Sequence, residues 1–253
     1  LSSFNSYNAE GKNMKAFKKH DVWGKVQFKP ADNQTFLLSH TYGNAENIMT
    51  PRAGMDIESE KTNLSQAKYT IMDLGDISDK LTLSFYHNKI EHKPYDKYRD
   101  SSITDGYVKA VDVETTTIGG KIENQKSADF ADFTYGFDMY HRNWDGYMFN
   151  KNTGAVLKPD FFPDADALNL GLYLKVDRDI DKWSLSTGIR GDYYQTKAND
   201  LVNGELSYSQ NLTSTNKKRD AFPGGYFSAK YHLNRRLTFF GGIGHSNRNP
   251  TLV

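Results

Sequence analysis

Apolar and polar residues alternate with a period of two along much of the chain. The stretch WSLSTGIRGDYY (Trp183–Tyr194) places Trp, Leu, Thr, Ile, Gly and Tyr on one face, and Ser, Ser, Gly, Arg, Asp and Tyr on the other. Successive residues of a strand point to opposite faces of its sheet. The pattern therefore predicts a strand with one apolar face and one polar face. Residues 133–142 and 167–177 alternate in the same way.

Ten segments have this strand-like character, and none has the 3.6-residue apolar spacing of an amphipathic helix. We therefore predict an all-β chain without helices. The predicted strands are residues 21–29, 34–44, 62–72, 79–90, 107–123, 131–144, 165–177, 181–195, 221–233 and 236–245.

The connections between the predicted strands alternate strictly between short and long. Short ones include PADNQ and RDID, and the long polar ones are residues 45–61, 91–106, 145–164 and 196–220. In an antiparallel meander, successive connections lie at opposite ends of the sheet. One end therefore has tight turns and the other has long loops. This arrangement is typical of outer-membrane barrels, with short periplasmic turns and long extracellular loops.

The length of the clearest strand also fits a transmembrane β-barrel. Ten residues separate Trp183 from Tyr193, which is roughly 33 Å of strand. Tilted by about 45°, such a strand spans about 24 Å, close to the apolar band of outer-membrane barrels. The apolar face is therefore expected to contact lipid and the polar face to line the lumen. The residues expected in the lumen are Arg142, Lys175, Arg190, Asp192 and Lys230.

The amino-acid composition narrows the range of functions that we expect for the chain. Hydrophobic residues make up 37% and aromatic residues 13% of the chain, as expected for a barrel with a thin apolar skin. The net charge is +1, which gives no reason to expect a nucleic-acid partner. The chain has no cysteine and no motif of a catalytic nucleophile, phosphate loop or zinc site. We therefore expect neither an enzyme nor a resident cofactor.

Two motifs resemble TonB-dependent outer-membrane receptors. Trp183–Tyr194 is similar to the family's W-x-L-x-x-G-x-R-x-D strand, and residues 244–251 are similar to its G-x-S-x-R-x-P-T segment. The resemblance implies a barrel of about twenty-two strands closed around a plug. Residues 1–253 would then be an internal fragment of the barrel domain, without the plug domain.

The resemblance also implies a function. Such a receptor lies in the Gram-negative outer membrane and takes up a scarce metal or metal chelate, energised by TonB. Its partners would be outer-membrane lipid, the plug domain of the same chain, the cargo, and TonB through an N-terminal region outside this fragment. The barrel would perform no covalent chemistry.

Some segments resemble the copper-receptor branch of this family. TPRAGMDIE supplies Pro51, Met55 and Asp56, KIEHKPYDKYR supplies His92, Asp96 and Arg99, and TTTIGGKIE supplies Thr116, Gly119, Gly120 and Glu123. The chain has Pro94 where the branch places a methionine two residues after the histidine. Because thioether sulfur suits copper(I) and proline binds no metal, this departure weakens the copper interpretation. An iron–siderophore complex or haem is the next candidate cargo.

The candidate cargo or metal ligands lie at strand ends and in the predicted long loops. They are His92, Met49, Met55 and Met148. The alternative is that these side chains only pack the loops. Two other functions also remain open at this stage, a passive porin or adhesin barrel and a soluble β-sandwich binding module.

Overall fold

The structure is a computed structural model that describes residues 2–4, 7–9, 12–14, 17–49, 54–199 and 217–247. All ten predicted strands are present, which confirms the all-β prediction. The long strands are β4 (Phe17–Phe28), β5 (Gln34–Ile48), β6 (Asp56–Met72), β7 (Lys80–Tyr95), β8 (Lys109–Ala128), β9 (Ala131–Asn150), β10 (Val156–Ile180), β11 (Trp183–Ala198), β12 (Lys217–Asn234) and β13 (Leu237–His245). Three short strands precede them, β1 (Ser2–Phe4), β2 (Tyr7–Ala9) and β3 (Lys12–Met14).

The long strands form one antiparallel meander. Each pairs with its neighbour in chain order, β1 adds to the edge at β4, and β2 pairs only with β3 in a separate hairpin. All ten long strands belong to a single sheet, so the arrangement is not a sandwich of two packed sheets. Among the described residues, β13 is paired on one side only, with β12.

Successive connections lie at opposite ends of the sheet, as predicted, but their lengths do not alternate strictly, because residues 73–79 form a longer connection than residues 151–155. Turns at residues 29–33, 73–79, 129–130, 181–182 and 235–236 lie at one end of the sheet, which we call the turn end. The connections after β5, β7, β9 and β11 begin and end at the other, which we call the loop end; of these connections the structure describes residues 49, 54–55, 96–108, 151–155 and 199.

The long loops are shorter than predicted because the strands continue past the apolar band. The predicted loop at 145–164 is largely a β9–β10 hairpin, with residues 151–155 at its tip and register shifts between Val156 and Ala165. The predicted loop at 45–61 shrinks to residues 49–55. The ladder continues there without the regular apolar alternation from which the strands were predicted. Most of the predicted loop at 196–220 lies outside the described residues.

The prediction that the chain has no helix is wrong at one place. A six-residue helix, α1 (Asp100–Asp105), interrupts the connection between β7 and β8 and ends at Gly106, whose φ of 73° is left-handed. A helix this short has too few turns for an apolar period to show in the sequence. In the part of the chain that the structure describes, no helix is both long and apolar enough to span a bilayer.

The two faces of the sheet differ as the alternation predicts. Large apolar side chains crowd one face and are exposed there, with Leu172 and Ile189 each 64% exposed. Near the turn end of this face, the rings of Trp183 and Tyr231 pack against each other at a tilt of 45°, with their centres 4.7 Å apart. The opposite face carries charged and hydroxyl side chains, including Arg190 and Tyr173. We call these the apolar face and the polar face.

Candidate functional site

The polar face is organised around Arg190 on β11. Its guanidinium donates to both carboxylate oxygens of Asp138 on β9, at 2.7 and 2.9 Å, and to both oxygens of Asp192 at 2.7 Å. Two-pronged contacts of this kind are the strongest geometry between an arginine and a carboxylate. Arg190 is therefore held in one position and its charge is matched on two sides.

Gly171 on β10 makes this arrangement possible. The register aligns Asp192, Gly171 and Asp138 in one row across three strands. Arg190 crosses over β10 at this point, and a Cβ atom added to Gly171 would collide with its guanidinium. The glycine therefore leaves the gap through which β11 contacts β9.

A second crossing extends the network. Tyr173 on β10 passes over Gly136 and donates from Oη to Glu123 Oε2 on β8, at 2.7 Å. Lys121 Nζ lies 2.5 Å from Glu123 Oε2. The guanidinium of Arg190 lies 5.9 Å from the centre of the Tyr173 ring. These side chains link β8 to β11 and line a cavity of about 850 Å³ on the polar face.

The five residues expected in the lumen all share the polar face, because the strand register aligns them with one another. Lys175 pairs with Asp177 at 2.7 Å, and Lys230 lies in the row of Ser184. Arg190 and Asp192 contact each other directly. That this face lines a lumen stays a prediction.

Arg142 on β9 has a different environment from Arg190. Its Nε donates to Thr117 Oγ1 at 3.0 Å, and its guanidinium carbon lies 5.6 Å from the Tyr140 ring and 5.2 Å from the Trp144 ring. The side chain is half-buried. Within the described residues, no carboxylate forms an ion pair with it. Two aromatic faces therefore stabilise its charge.

The structure brings two of the four candidate cargo ligands together. Met148 is buried with Val111 and Val113, and Met55 packs against this cluster along with Phe161 and Phe162. This loop-end core is apolar, and both thioethers serve in its packing. Met49 lies just beyond the end of β5 and is not a member of the cluster.

His92, the fourth candidate, pairs with an acidic side chain. Its Nδ1 lies 2.9 Å from Glu60 Oε2 on the neighbouring strand β6. Across the described ranges, no group of three or more histidine or acidic side chains is close enough to hold a metal ion. A cargo-binding or metal-binding role for His92 and the three methionines stays a prediction.

A network of buried charges holds the loop end together. The sequence analysis assigned no role to this network. Asp56 is fully buried and pairs with Arg99, which precedes α1. Asp96, 1% exposed, accepts hydrogen bonds from the Lys109 backbone N–H at 2.7 Å and from Ser101 Oγ at 2.8 Å. Asp56, Asp96 and Arg99 belong to the segments that resemble the copper-receptor branch, but the pairing of these residues depends on the fold.

A third contact ties the β9–β10 tip to the same network. Lys151 pairs with Glu58, and its Nζ lies 5.3 Å from the centre of the Tyr95 ring. Burial raises the pKa of the Tyr95 hydroxyl, and the neighbouring Tyr98 adds to the effect. The pKa of Lys109 is also raised, first by its hydrogen bond with Asp105. The loops at this end thus form one packed unit.

Comparison with known proteins identifies related folds. A family model described as "TonB dependent receptor-like, beta-barrel" matches residues 11–253. Among solved structures, the copper transporter OprC is similar with a TM-score of 0.81 and 21% identity, covering 96% of this chain and 40% of that one. A comparison with curated protein sequences finds no match.

Two iron-related receptors are also similar. The FrpB iron transporter from Neisseria meningitidis (F3-3 variant) has a TM-score of 0.70 and 15% identity, covering 93% of this chain and 37% of that one. The ferric-catecholate import receptor Fiu from E. coli K12 has a TM-score of 0.64 and 13% identity, covering 93% and 48%. This chain therefore spans less than half the length of each of these structures, and identities this low show a common fold.

Proposed function

The chain belongs to the family of TonB-dependent receptor β-barrels, and we propose that it forms part of the wall and loops of a receptor for a scarce metal or metal chelate. The receptor would lie in the Gram-negative outer membrane, with a plug domain elsewhere in the same protein. TonB would supply the energy for transport by acting on the part of the protein that precedes the barrel. The observation that carries the proposal is the family match over residues 11–253.

The two-faced sheet supports this function in physical terms. The exposed apolar face suits lipid, since burying it in a bilayer removes its large side chains from water. The polar face suits a wet interior that contacts a plug, because it carries charged side chains, of which Arg190 and Lys121 are paired with acids within the wall. The packed loop end suits a rigid entrance on the extracellular side.

Copper is the first candidate cargo. The similar structure OprC is a copper transporter and matches 96% of this chain. Two methionines of this chain, Met55 and Met148, lie together at the loop end, and thioether sulfur is a soft ligand suited to copper(I).

An iron chelate or haem is the second candidate, and a specific observation favours it. Met55 and Met148 are packed into an apolar cluster, and His92 is paired with Glu60. Pro94 occupies the position where the copper branch has a methionine. Similar structures also include the iron transporter FrpB and the ferric-catecholate receptor Fiu.

The test is metal accumulation by cells that produce the complete receptor, with and without TonB. The cells are grown with limiting copper and iron, and the metal content of washed cells is measured by elemental mass spectrometry. We expect receptor-dependent copper uptake that disappears when TonB is deleted. Iron uptake with the same TonB dependence would support the receptor and replace copper as the cargo. Metal uptake that persists without TonB would overturn the proposal in favour of a passive porin.

A further inference from the structure

We propose that the connections at residues 73–79 and 129–130, which we call the turn-end ledge, rest in the headgroup region of the membrane and contact phospholipid through Ile77 and Phe130. The inference goes beyond the proposed function, because it needs only that the apolar face meets lipid and does not depend on cargo or on TonB. It follows from the side of the sheet over which the first of these connections folds.

The connection at residues 73–79 lies over the apolar face. Ile122, Asn124 and Lys126 of β8 share this face, because the register aligns Ile122 with Leu172 through the residue between them on β9. Lys126 donates from Nζ to the backbone oxygen of Gly75 at 3.3 Å, and Asn124 donates from Nδ2 to the backbone oxygen of the ledge at residue 77, also at 3.3 Å. The backbone of the connection is therefore held against the apolar face and does not continue straight out of the sheet.

The polar groups beneath this connection are matched by the connection itself. Ser78, only 1% exposed, donates from Oγ to Asn124 Oδ1, and Asn124 Nδ2 also donates to Tyr135 Oη at 2.5 Å. Asp79 Oδ1 lies 3.0 Å from Lys126 Nζ. An amide or ammonium group without such partners would be costly on a wall that faces lipid. The connection therefore covers a polar patch of the wall and presents its own outer surface instead.

The outer surface of the turn-end ledge carries two large apolar side chains. Ile77 is 77% exposed, although Ser78 beside it is buried. Phe130 is 60% exposed, and its ring packs edge-on against Phe133 with the ring centres 5.5 Å apart. Phe133 belongs to the apolar face and lies opposite Lys126 in the register, so the two connections are neighbours. Together they extend the apolar face beyond the strands.

Continuity with the apolar face identifies the occupant. The apolar band of an outer-membrane barrel ends in an interfacial region, where aromatic side chains lie at the level of the headgroups. The turn-end ledge lies at this level, and a phospholipid bilayer there removes Ile77 and Phe130 from water. Asp73 and Asp76 of the same connection are exposed and would repel an anionic headgroup. The turn-end ledge therefore suits a zwitterionic phospholipid.

The test is site-directed spin labelling of the complete receptor, with any other cysteine replaced, in phosphatidylcholine vesicles. A nitroxide is attached to Ile77→Cys or Phe130→Cys. Its collisions with oxygen, which concentrates in lipid, and with a water-soluble nickel chelate are measured by electron paramagnetic resonance. Asp76→Cys and Asp129→Cys are the matched controls, since each is an exposed neighbour in the same connection. We expect the ratio of oxygen to nickel collisions to be several times higher at residues 77 and 130 than at the controls.

A second variant tests the hydrogen bonds that hold the turn-end ledge. Asn124→Ala removes the amide that contacts Ser78 and the backbone oxygen of residue 77. The label at residue 77 should then move toward water, and its collision ratio should fall to that of the control at residue 76. The label at residue 130 should keep its ratio, because Phe130 packs on Phe133. If this variant does not insert into vesicles, the labels in the receptor with Asn124 intact still decide the inference.

Three outcomes would count against the inference. Equal collision ratios at the labelled positions and their controls would place the turn-end ledge in water and overturn it. Labels shielded from both reagents would also overturn it, since protein would then cover the turn-end ledge, either a second copy or another segment of the receptor. An unchanged ratio at residue 77 in Asn124→Ala would overturn the role of Asn124. Failure of the proposed function is separate, because loss of TonB-dependent uptake would leave these ratios unchanged.

Discussion

At the scale of single residues, the polar face depends on glycines that let long side chains cross a strand. Arg190 reaches Asp138 over Gly171, and Tyr173 reaches Glu123 over Gly136. Each crossing joins strands that share no backbone hydrogen bonds. The missing side chain of each glycine therefore has a structural role, because it leaves the space through which the longer side chain passes.

Adding one methyl group should disturb the crossing. We expect Gly171→Ala to push the Arg190 guanidinium away from Asp138 and to destabilise the receptor by about 1–3 kcal/mol, as overpacking typically does. The measurement is urea unfolding of the complete receptor in lipid vesicles. Gly191→Ala is the control, since a Cβ atom there meets no other atom within 4 Å. Equal effects of the two substitutions would contradict the argument.

At the scale of elements, acidic side chains hold the connections at both ends of the sheet, and those at the loop end are buried. Asp96 fastens the segment around α1 to the first residue of β8, and Asp56 fastens the same segment to β6 through Arg99. At the turn end, Asp79 accepts the backbone N–H of Ser127 at 2.5 Å and contacts Lys126 at 3.0 Å. Connections that would otherwise be loose are thereby ordered.

Removal of the Asp96 carboxylate should loosen the loop that contains α1. Asp96→Ala leaves the Lys109 N–H and the Ser101 hydroxyl without their acceptor, and a buried unsatisfied donor costs about 1–3 kcal/mol. We expect faster hydrogen exchange in residues 96–109, measured by mass spectrometry. Asp76→Ala, an exposed acid in a connection at the turn end, is the control and should leave that exchange unchanged.

The Asp79 contacts predict a response to acid. The Ser127 backbone N–H, followed by the Lys126 side chain, lowers the pKa of Asp79 from its ordinary value of 3.8. A lowered folded-state pKa stabilises the fold above 3.8, and this stabilisation is lost as the pH falls through the folded value. The urea midpoint should therefore decline less below pH 3.8 in Asp79→Asn than in the wild type. Parallel pH profiles for the two proteins would refute this.

At the scale of the whole molecule, the sheet reverses the usual arrangement of a globular protein. Its large apolar side chains are exposed on one face, and the buried apolar cluster is confined to the loop end. The paired charges lie on the other face. This arrangement is stable only if lipid covers the apolar face and if further strands pair with β13.

One substitution on each face tests whether the apolar face, and not the polar face, contacts lipid. Leu172→Arg places a charge in the middle of the apolar face, which costs about 2–4 kcal/mol near the bilayer midplane. Thr134→Arg places the same side chain on the polar face, beside the large cavity. We expect the first to prevent folding of the receptor into lipid vesicles and the second to be tolerated, judged by heat-modifiable gel mobility. Equal tolerance of both would contradict the assignment of the faces.

The class of the fold, the ten strands, their two faces and the placement of successive connections at opposite ends of the sheet can be read from the amino-acid sequence alone. These features follow from the period of two in side-chain direction. This period is a local property of the extended backbone, so it can be recognised in a single strand. Five residues expected to share a face, Arg142 among them, do so for the same reason.

Which side chains meet depends on the tertiary structure. The Arg190–Asp138 contact joins residues 52 apart, and it exists because the register places Gly171 between them. The packing of Met55 against the cluster that contains Met148, and the difference between Arg142 and Arg190, likewise depend on distances between strands. Such contacts result from register and from long-range packing, which no short stretch of sequence encodes on its own.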